Sequence, residues 1–439
     1  MNHQRINNKD NRHGYFFFWV LLSVMFLGMP VAFALLFAPG VSLFLEGKEA
    51  FYLLLTQRLY NGIDSFPLMA IPFFMLAGEV MNRSGITLSL VQVSQAFIGH
   101  FRGGLAQINI LSSMLFAGLS GSAVADCSAL GKMLIPAMEK NGYSRRFAAA
   151  VTAASSIIGP IIPPSGIMIL YAFVMNVSVG GLFAAGIIPG ILVGTSLMVM
   201  TWYLSKKRGY AVAAEKATYK ERGKAVKKAF WPLMTPVILL GGILSGIFTP
   251  TEAAAVAAAY ALVISFMTKT MSFKSLPDLF YETAKSSAVI LFLVGSAVAF
   301  SAVISLSGAP QKVAGFMVSL TSDPLMLLLL INILLLIVGM FLDAGPAILI
   351  LGPILGPIVT QFGVDPLHFA IVMCVNLTVG LATPPMGLVL FVAASVSGEK
   401  VERISREMLP YLAMHLLVIV LITYIPAITM TLPRMLGFA

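Results

Sequence analysis

Gly159-Pro160-Ile161-Ile162-Pro163-Pro164-Ser165-Gly166 and Gly380-Leu381-Ala382-Thr383-Pro384-Pro385-Met386-Gly387 each place a tandem proline between glycines inside a long apolar segment. Proline has no N–H to donate and its ring clashes with the preceding turn, so a helix unwinds at both stretches. The two are related by more than the proline pair. A shift of 221 residues aligns Ile110–Leu170 with Ile331–Phe391 without a gap, and 15 of 61 positions are identical. Eight of ten glycines and prolines in the first window meet the same residue in the second, although these two types are only 62 of 439 residues. The matches are Gly118/Gly339, Gly131/Gly352, Pro136/Pro357, Gly142/Gly363, Gly159/Gly380, Pro163/Pro384, Pro164/Pro385 and Gly166/Gly387. Breakers fix backbone geometry, so the two halves are expected to share one fold.

The solvent of this fold is lipid. The chain is 58% hydrophobic and 10% charged, against about 25% charged in a soluble domain. Phe16–Leu45, Val289–Ile304 and Leu325–Phe341 contain no charge, and a bilayer is crossed by ~20 apolar residues. Cys127 and Cys374 lie in apolar segments with no CxxC or His/Cys cluster, so neither a disulfide framework nor a zinc site is expected. Met1–Tyr15 is polar and mildly basic, and no A-x-A-like cleavage site closes the following apolar run early, so that run reads as an uncleaved span, kinked near Gly28 and Pro30.

Charge orients the spans. Lys206–Lys228 holds nine Lys/Arg against Glu215 and Glu221. Nucleic acid or anionic lipid would suit such a stretch, but between two spans it reads as a cytoplasmic topology anchor. Walking outward, Phe101–Asn141 leaves Arg102 and returns to Lys140, with arms Leu105–Ser120 and Ala123–Met138 too short for full spans. It reads as a re-entrant hairpin opening inward. Pro324–Phe362 reads as a second, opening outward. The expected fold is therefore all-α and polytopic, with two inverted-topology repeats, each holding a re-entrant hairpin and a broken transmembrane helix. Its parts are an N-terminal cytoplasmic tail, first span and connection (1–61) and a first repeat (62–205; hairpin 101–141, broken helix 147–175). A basic cytoplasmic loop (206–228), linking spans (229–285) and a second repeat (286–439; hairpin 324–362, broken helix 369–396) follow. The N-terminus falls inside, beside Arg5, Lys9 and Arg12, and the C-terminus outside. Thr249-Pro250-Thr251-Glu252 reads as a capping box with proline at the first helical position.

Helix interruptions in hydrocarbon are tolerated where protein buries them or where they line a polar cavity. Freed carbonyls and half-helix C-termini can coordinate Na⁺, while half-helix N-termini attract a carboxylate. Ser120, Ser122 and Ser165 can add oxygens in the first half, and Asp343, Asn376, Thr378 and Thr383 in the second. Ser122 aligns with Asp343 and Ser155 with Asn376, which predicts two related cation sites of unequal charge. Asp343, at a hairpin tip, is the leading candidate for ion or substrate coupling. Asp126 and Lys132 are candidates for substrate contact or for structural pairing. Ser155 and Asn376 fit either a direct role or hydrogen bonding between packed helices.

At these residues the chain resembles the large membrane subunit of tripartite ATP-independent periplasmic (TRAP) transporters. The matching stretches are Gly121-Ser122-Ala123-Val124-Ala125-Asp126, Ile162-Pro163-Pro164-Ser165-Gly166, Phe248–Ala255 and Gly380–Gly387. The resemblance implies an elevator-type, Na⁺-coupled importer of organic acids in a bacterial inner membrane, with Na⁺ as the coupling ion and no other cofactor. It also implies a small four-span membrane subunit and a periplasmic substrate-binding protein as partners. Carried onto this chain, its sodium sites fall at Ser120, Gly121 and Ser122 with Gly159, Ile162, Pro163 and Ser165. The second set falls at Gly339 and Asp343 with Gly380, Thr383, Pro384 and Met386. The sialic-acid branch looks closest, and no residue excludes a C4-dicarboxylate or a sugar acid.

Other readings are weaker. Gly118-Leu119-Ser120-Gly121 matches a short intramembrane serine-protease element with His415 as base, but the second repeat has Phe341 where Ser120 stands. Asp126–Met133 lacks the first glycine and final Ser/Thr of a phosphate loop. A passive channel explains broken helices but not hairpins of opposite sense. Proton coupling through Asp343 is the remaining alternative.

Overall fold

Several helices in this chain begin at capping side chains. Thr249 accepts the N–H of Glu252, while the Glu252 carboxylate accepts the Thr249 N–H at 2.8 Å, with Pro250 opening the helix. Ser122, Ser165, Ser178, Asp323, Asp343 and Asp365 cap further helices in the same way, each accepting a backbone N–H from the first turn. The computed structural model describes residues 16–45, 47, 51–210, 212, 215–307, 309–321 and 323–438, and among them there is no β-sheet. The basic tail residues Arg5, Lys9 and Arg12 lie outside the described residues.

The chain opens with α1 (Phe16–Phe26), α2 (Val31–Leu45), α3 (Tyr52–Ile63), α4 (Ala70–Arg83) and α5 (Ile86–Ile98). The expected kink at Gly28 and Pro30 is a complete break between α1 and α2, with Gly28 at φ +89°. Two arms follow, α6 (Gly104–Ser120) and α7 (Ala123–Lys140), then α8 (Arg145–Ser156), α9 (Gly166–Met175) and the long α10 (Val179–Arg208). Next come α11 (Tyr219–Leu244), α12 (Pro250–Met267), α13 (Leu276–Ser307) and α14 (Ala309–Leu320). The C-terminal part holds α15 (Pro324–Phe341), α16 (Ala344–Gln361), α17 (Pro366–Gly380), α18 (Leu388–Ser397), α19 (Val401–Tyr424) and α20 (Ala427–Met435).

The 221-residue shift carries α6 onto residues 325–341 and α7 onto 344–361, the ranges of α15 and α16 to within one residue. Both broken helices are present: α8 and α9 flank an irregular segment at 157–165, and α17 and α18 flank one at 381–387. The peptide bonds Pro163-Pro164 and Pro384-Pro385 are both cis. Among the described residues, six helices are long and apolar enough to cross a membrane, or up to eight if each of two bent pairs is one span. Both arms of the second hairpin pass that test. They are joined by only Leu342-Asp343, and Asp343 lines a cavity.

The basic stretch 206–228 is not a loop throughout. α10 continues to Arg208, and a Thr218/Glu221 capping box starts α11, so a short connection separates two helices.

Packing sorts the helices into two groups. α2–α4 pack with α12 and α13, and α11 packs on α12; α6–α10 pack with one another and with α15–α20; α5 packs on both α6 and α11 and joins the two groups. In the second group the halves interlock reciprocally: α18 lies on α7, and α9 lies on α16. Within each half, glycines bring the hairpin close to the break. A Cβ on Gly339 would sit 2.7 Å from the Leu377 carbonyl and 3.1 Å from Gly380 Cα. In the other half, a Cβ on Gly159 would come within 3.4 Å of the Ser122 carbonyl, and one on Gly121 within 3.1 Å of the Pro164 carbonyl. α10 offers Gly186, Gly190 and Gly194 on one face, where added Cβ atoms would strike the Ile161 carbonyl, the Ile162 side chain and Met114. Small residues four apart let backbones approach.

Gly339→Ala and Gly380→Ala each press a methyl group into backbone, and overpacking of this kind costs about 1–3 kcal/mol. The thermal midpoint of the purified protein in detergent is expected to fall in both variants. Gly241→Ala, whose added Cβ meets nothing within 4 Å, is expected to leave it unchanged. Three equal midpoints would show that the hairpin and the break do not touch.

Candidate functional site

A cavity of about 670 Å³ lies where both hairpin tips and both helix breaks meet. Its walls include Gly121–Ala125 from the first tip, Asp343–Pro346 from the second, Pro160, Pro164 and Gly166 from one break, and Leu381 and Leu388 from the other. The opposite wall belongs to the other packing group: Phe74, Gly78, Glu79 and Asn82 of α4, with Val289 and Leu293 of α13. Small-molecule sites usually occupy ~300–1,000 Å³.

Four helix N-termini converge here, those of α7, α9, α16 and α18. The first N–H groups of a helix have no partner within it. Ser122 accepts the Ala125 N–H at 3.4 Å, Ser165 that of Met168 at 3.5 Å, and Asp343 that of Ala344 at 2.8 Å. Among the described residues, the N–H groups of Ala123, Val124, Gly166, Ile167, Gly345 and Leu388 donate to no protein acceptor, and all six residues line the cavity. Aligned helix dipoles give such ends a partial positive charge that favours an anion.

The breaks supply the opposite polarity. The carbonyls of Gly159, Ile162, Pro163 and Pro164 accept no hydrogen bond among the described residues, and neither do those of Ala382, Pro384, Pro385 and Met386. Gly380 and Thr383 differ, since their carbonyls accept the Thr383 and Gly387 N–H groups at 2.9 and 3.1 Å. Ser165 is committed to the break itself, donating to the Pro160 carbonyl at 2.5 Å. The Thr383 hydroxyl donates back to the Val379 carbonyl at 2.8 Å. Asp343 is exposed to the cavity, with Oδ1 on Ala344 and its other oxygen unpartnered among the described residues. Ser120 ends α6, but its side chain lies outside the described residues.

Several predicted residues lie behind this wall. Asp126 is fully buried: Ser113 donates to its Oδ1 at 3.5 Å, and its Oδ2 has no partner among the described residues. Ser113 also bonds Ser155 at 3.0 Å, and Ser155 reaches Asn109 at 3.5 Å, so Asp126 and Ser155 share a polar core between α6, α7 and α8. Asn376 donates to Asn332 at 2.8 Å, and Asn332 to Thr423 at 3.1 Å, tying α17 to α15 and α19. Thr378 bonds carbonyls of its own helix, those of Cys374 and Val375. Lys132 is exposed on α7, away from the cavity lining. His415 is buried on α19, which packs on α8, α10 and α18.

The α4 wall was not anticipated from sequence. Glu79 there pairs with Arg83 at 2.7 Å. A signal existed: Glu79, Asn82 and Arg83, three and four apart on an otherwise apolar helix, share one face.

A family model for the DctM component of the tripartite ATP-independent periplasmic transporters matches residues 18–428. The chain belongs to that family. The permease is 40% identical over 427 residues to the sialic acid TRAP transporter large permease SiaM of Vibrio cholerae, covering 97% of this chain and 99% of that one. It is 37% identical to the C4-dicarboxylate large permease DctM of Rhodobacter capsulatus, covering 96% and 98%. Among solved structures, the YdaH transporter of Alcanivorax borkumensis superposes with a TM-score of 0.64 at 20% identity, over 85% of this chain and 88% of that one. That likeness is one of fold.

A cavity open to water makes a direct prediction. Val124 lines it, whereas Cys127, one turn along α7, is fully buried. Val124→Cys is expected to react with a membrane-impermeant maleimide while the natural Cys127 and Cys374 stay unlabelled. Absence of labelling at position 124 would mean the cavity is closed to solvent.

Proposed function

We propose that the permease imports an organic acid anion in symport with Na⁺, with N-acetylneuraminate as first candidate substrate and C4-dicarboxylates or sugar acids as the others. One observation carries this reading: among the described residues, unpaired N–H groups of four helix N-termini face a single cavity together with the free oxygen of Asp343, and the two breaks that border it carry unpaired carbonyls. The first group suits a carboxylate and the second suits cations. Ser120, Gly121 and Ser122 with Gly159, Ile162, Pro163 and Ser165 form one sodium site. Gly339 and Asp343 with Gly380, Thr383, Pro384 and Met386 form the other. Substrate contacts fall to Ser122 and Asp343, with Asp126, Ser155, Asn376 and Thr378 ordering the helices behind them, and the exposed Lys132 takes no part.

In this reading the two halves are inverted repeats. α6–α10 and α15–α20 are the moving block of an elevator, and α2–α5 with α11–α13 are its scaffold. The shared cavity at the seam between the two packing groups supports that division. The scaffold docks a small four-span membrane subunit, and a periplasmic binding protein delivers substrate. The setting is a bacterial inner membrane, with the N-terminus cytoplasmic and the C-terminus periplasmic. Each sodium ion contributes ~2.3 kcal/mol per 100 mV and ~1.4 kcal/mol per tenfold gradient, so two ions drive steep accumulation.

The test is uptake of labelled N-acetylneuraminate by proteoliposomes holding the permease and its small subunit, with purified binding protein outside. Uptake is expected to require an inward Na⁺ gradient and to vanish when choline replaces Na⁺ at fixed pH. Asp343→Asn is expected to lose about tenfold or more, as loss of an intramembrane carboxylate at a coupling site implies. Uptake that persists in choline and follows a proton gradient would reassign the coupling ion. Unchanged uptake by Asp343→Asn would remove that residue from the mechanism.

A further inference from the structure

The first limb of α11, Tyr219–Trp231, is bent by 63° from its second limb, Leu233–Leu244. Pro232 stands between them and has no N–H to continue the ladder. The limbs differ in composition. The second is uncharged and apolar, whereas the first contains Lys220, Arg222, Lys224, Lys227 and Lys228 with Glu221 alone in opposition. A helix leaving the spanning direction at such an angle, with this charge, does not continue the span.

Its faces are distinct. Tyr219, Val226 and Phe230, seven and eleven apart, fall on one stripe, and they are 91%, 36% and 45% exposed. Lys220, Lys224 and Lys227, four and seven apart, fall on an adjoining stripe, and the ion pairs among the described residues use other cations. A third side faces the protein. There Ala229 is buried, Arg222 lies over the Phe97 ring at 5.7 Å, and Lys228 Nζ donates to Gln92 of α5 at 3.0 Å. The neighbouring end of α10 adds Lys206 over the Trp202 ring at 5.3 Å, with Trp202 44% and Trp231 47% exposed. Tryptophans of this kind mark a membrane–water boundary.

We propose that Tyr219–Trp231 is an interfacial helix that binds anionic phospholipid headgroups. Its apolar stripe enters the acyl boundary, and the Lys220/Lys224/Lys227 row meets the phosphates. The bend at Pro232 turns the limb into the membrane plane at the point where α11 leaves the bilayer. The flanking exposed aromatic and aliphatic side chains favour lipid over nucleic acid, which would leave that stripe in water. The inference rests on α11 and its surface alone, and the substrate and coupling ion do not enter it.

The test is native mass spectrometry of the purified permease released from nanodiscs containing equal phosphatidylglycerol and phosphatidylcholine. Wild type is expected to retain phosphatidylglycerol in severalfold excess. The Lys220→Gln, Lys224→Gln, Lys227→Gln triple variant is expected to lose most of that excess with its thermal midpoint unchanged. Removing equal charge elsewhere, with Lys269→Gln, Lys274→Gln and Lys400→Gln, is expected to keep it. Equal retention of both lipids by wild type, or an undiminished excess in the triple variant, would overturn the proposal. So would displacement of the bound lipid by a short RNA duplex.

Discussion

A peptide group stranded in an apolar interior must find a partner, and this chain strands many of them at one place. Four helices start, and four others stop, around one cavity. Each start exposes N–H groups and each break exposes carbonyls, because the tandem prolines remove the donors that would close the turns. In lipid such groups are tolerated only where protein or a polar cavity receives them. The proposed site is therefore built largely of backbone, held in place by packing, with the Asp343 carboxylate beside it.

That packing is glycine-dependent. Gly339 against Gly380, Gly121 against Pro164 and Gly159 against Ser122 bring each hairpin tip into contact with a break. Gly186, Gly190 and Gly194 let α10 support the first break from behind. Buried polar networks then fix the helices that carry the breaks: Asn109, Ser113, Ser155 and Asp126 on one side, Asn332, Asn376 and Thr423 on the other. These contacts need no ligand, so the geometry is set before anything binds, as preorganisation requires.

Much of the architecture is legible in sequence because prolines, glycines and caps act locally. The tandem prolines place both breaks, the capping box at Thr249–Glu252 starts α12 where expected, and the 221-residue shift matches hairpin arms to within a residue. What sequence does not reveal is direction. Asp126, Ser155, Asn376 and Thr378 sit beside the interruptions in sequence, yet their helices turn them into packed interfaces, and Lys132 points outward. A 3.6-residue period identifies faces without saying which neighbour each face meets. The α4 wall is the converse case. Its polar stripe at Glu79 and Asn82 is readable, but its meeting with residues far along the chain is a product of tertiary packing. The length of α11 was missed for another reason, since a run of lysines reads as a connection when its capping box at Thr218 is passed over.

The central claim is that backbone opened by the breaks captures cations. Its most direct measurement is the thermal midpoint of the purified permease, without substrate, in NaCl against choline chloride at equal ionic strength. Binding to the native state alone raises stability with the logarithm of free ligand, so the account predicts a midpoint that climbs with NaCl and climbs less in Asp343→Asn. Identical midpoints in the two salts across the titration would contradict it.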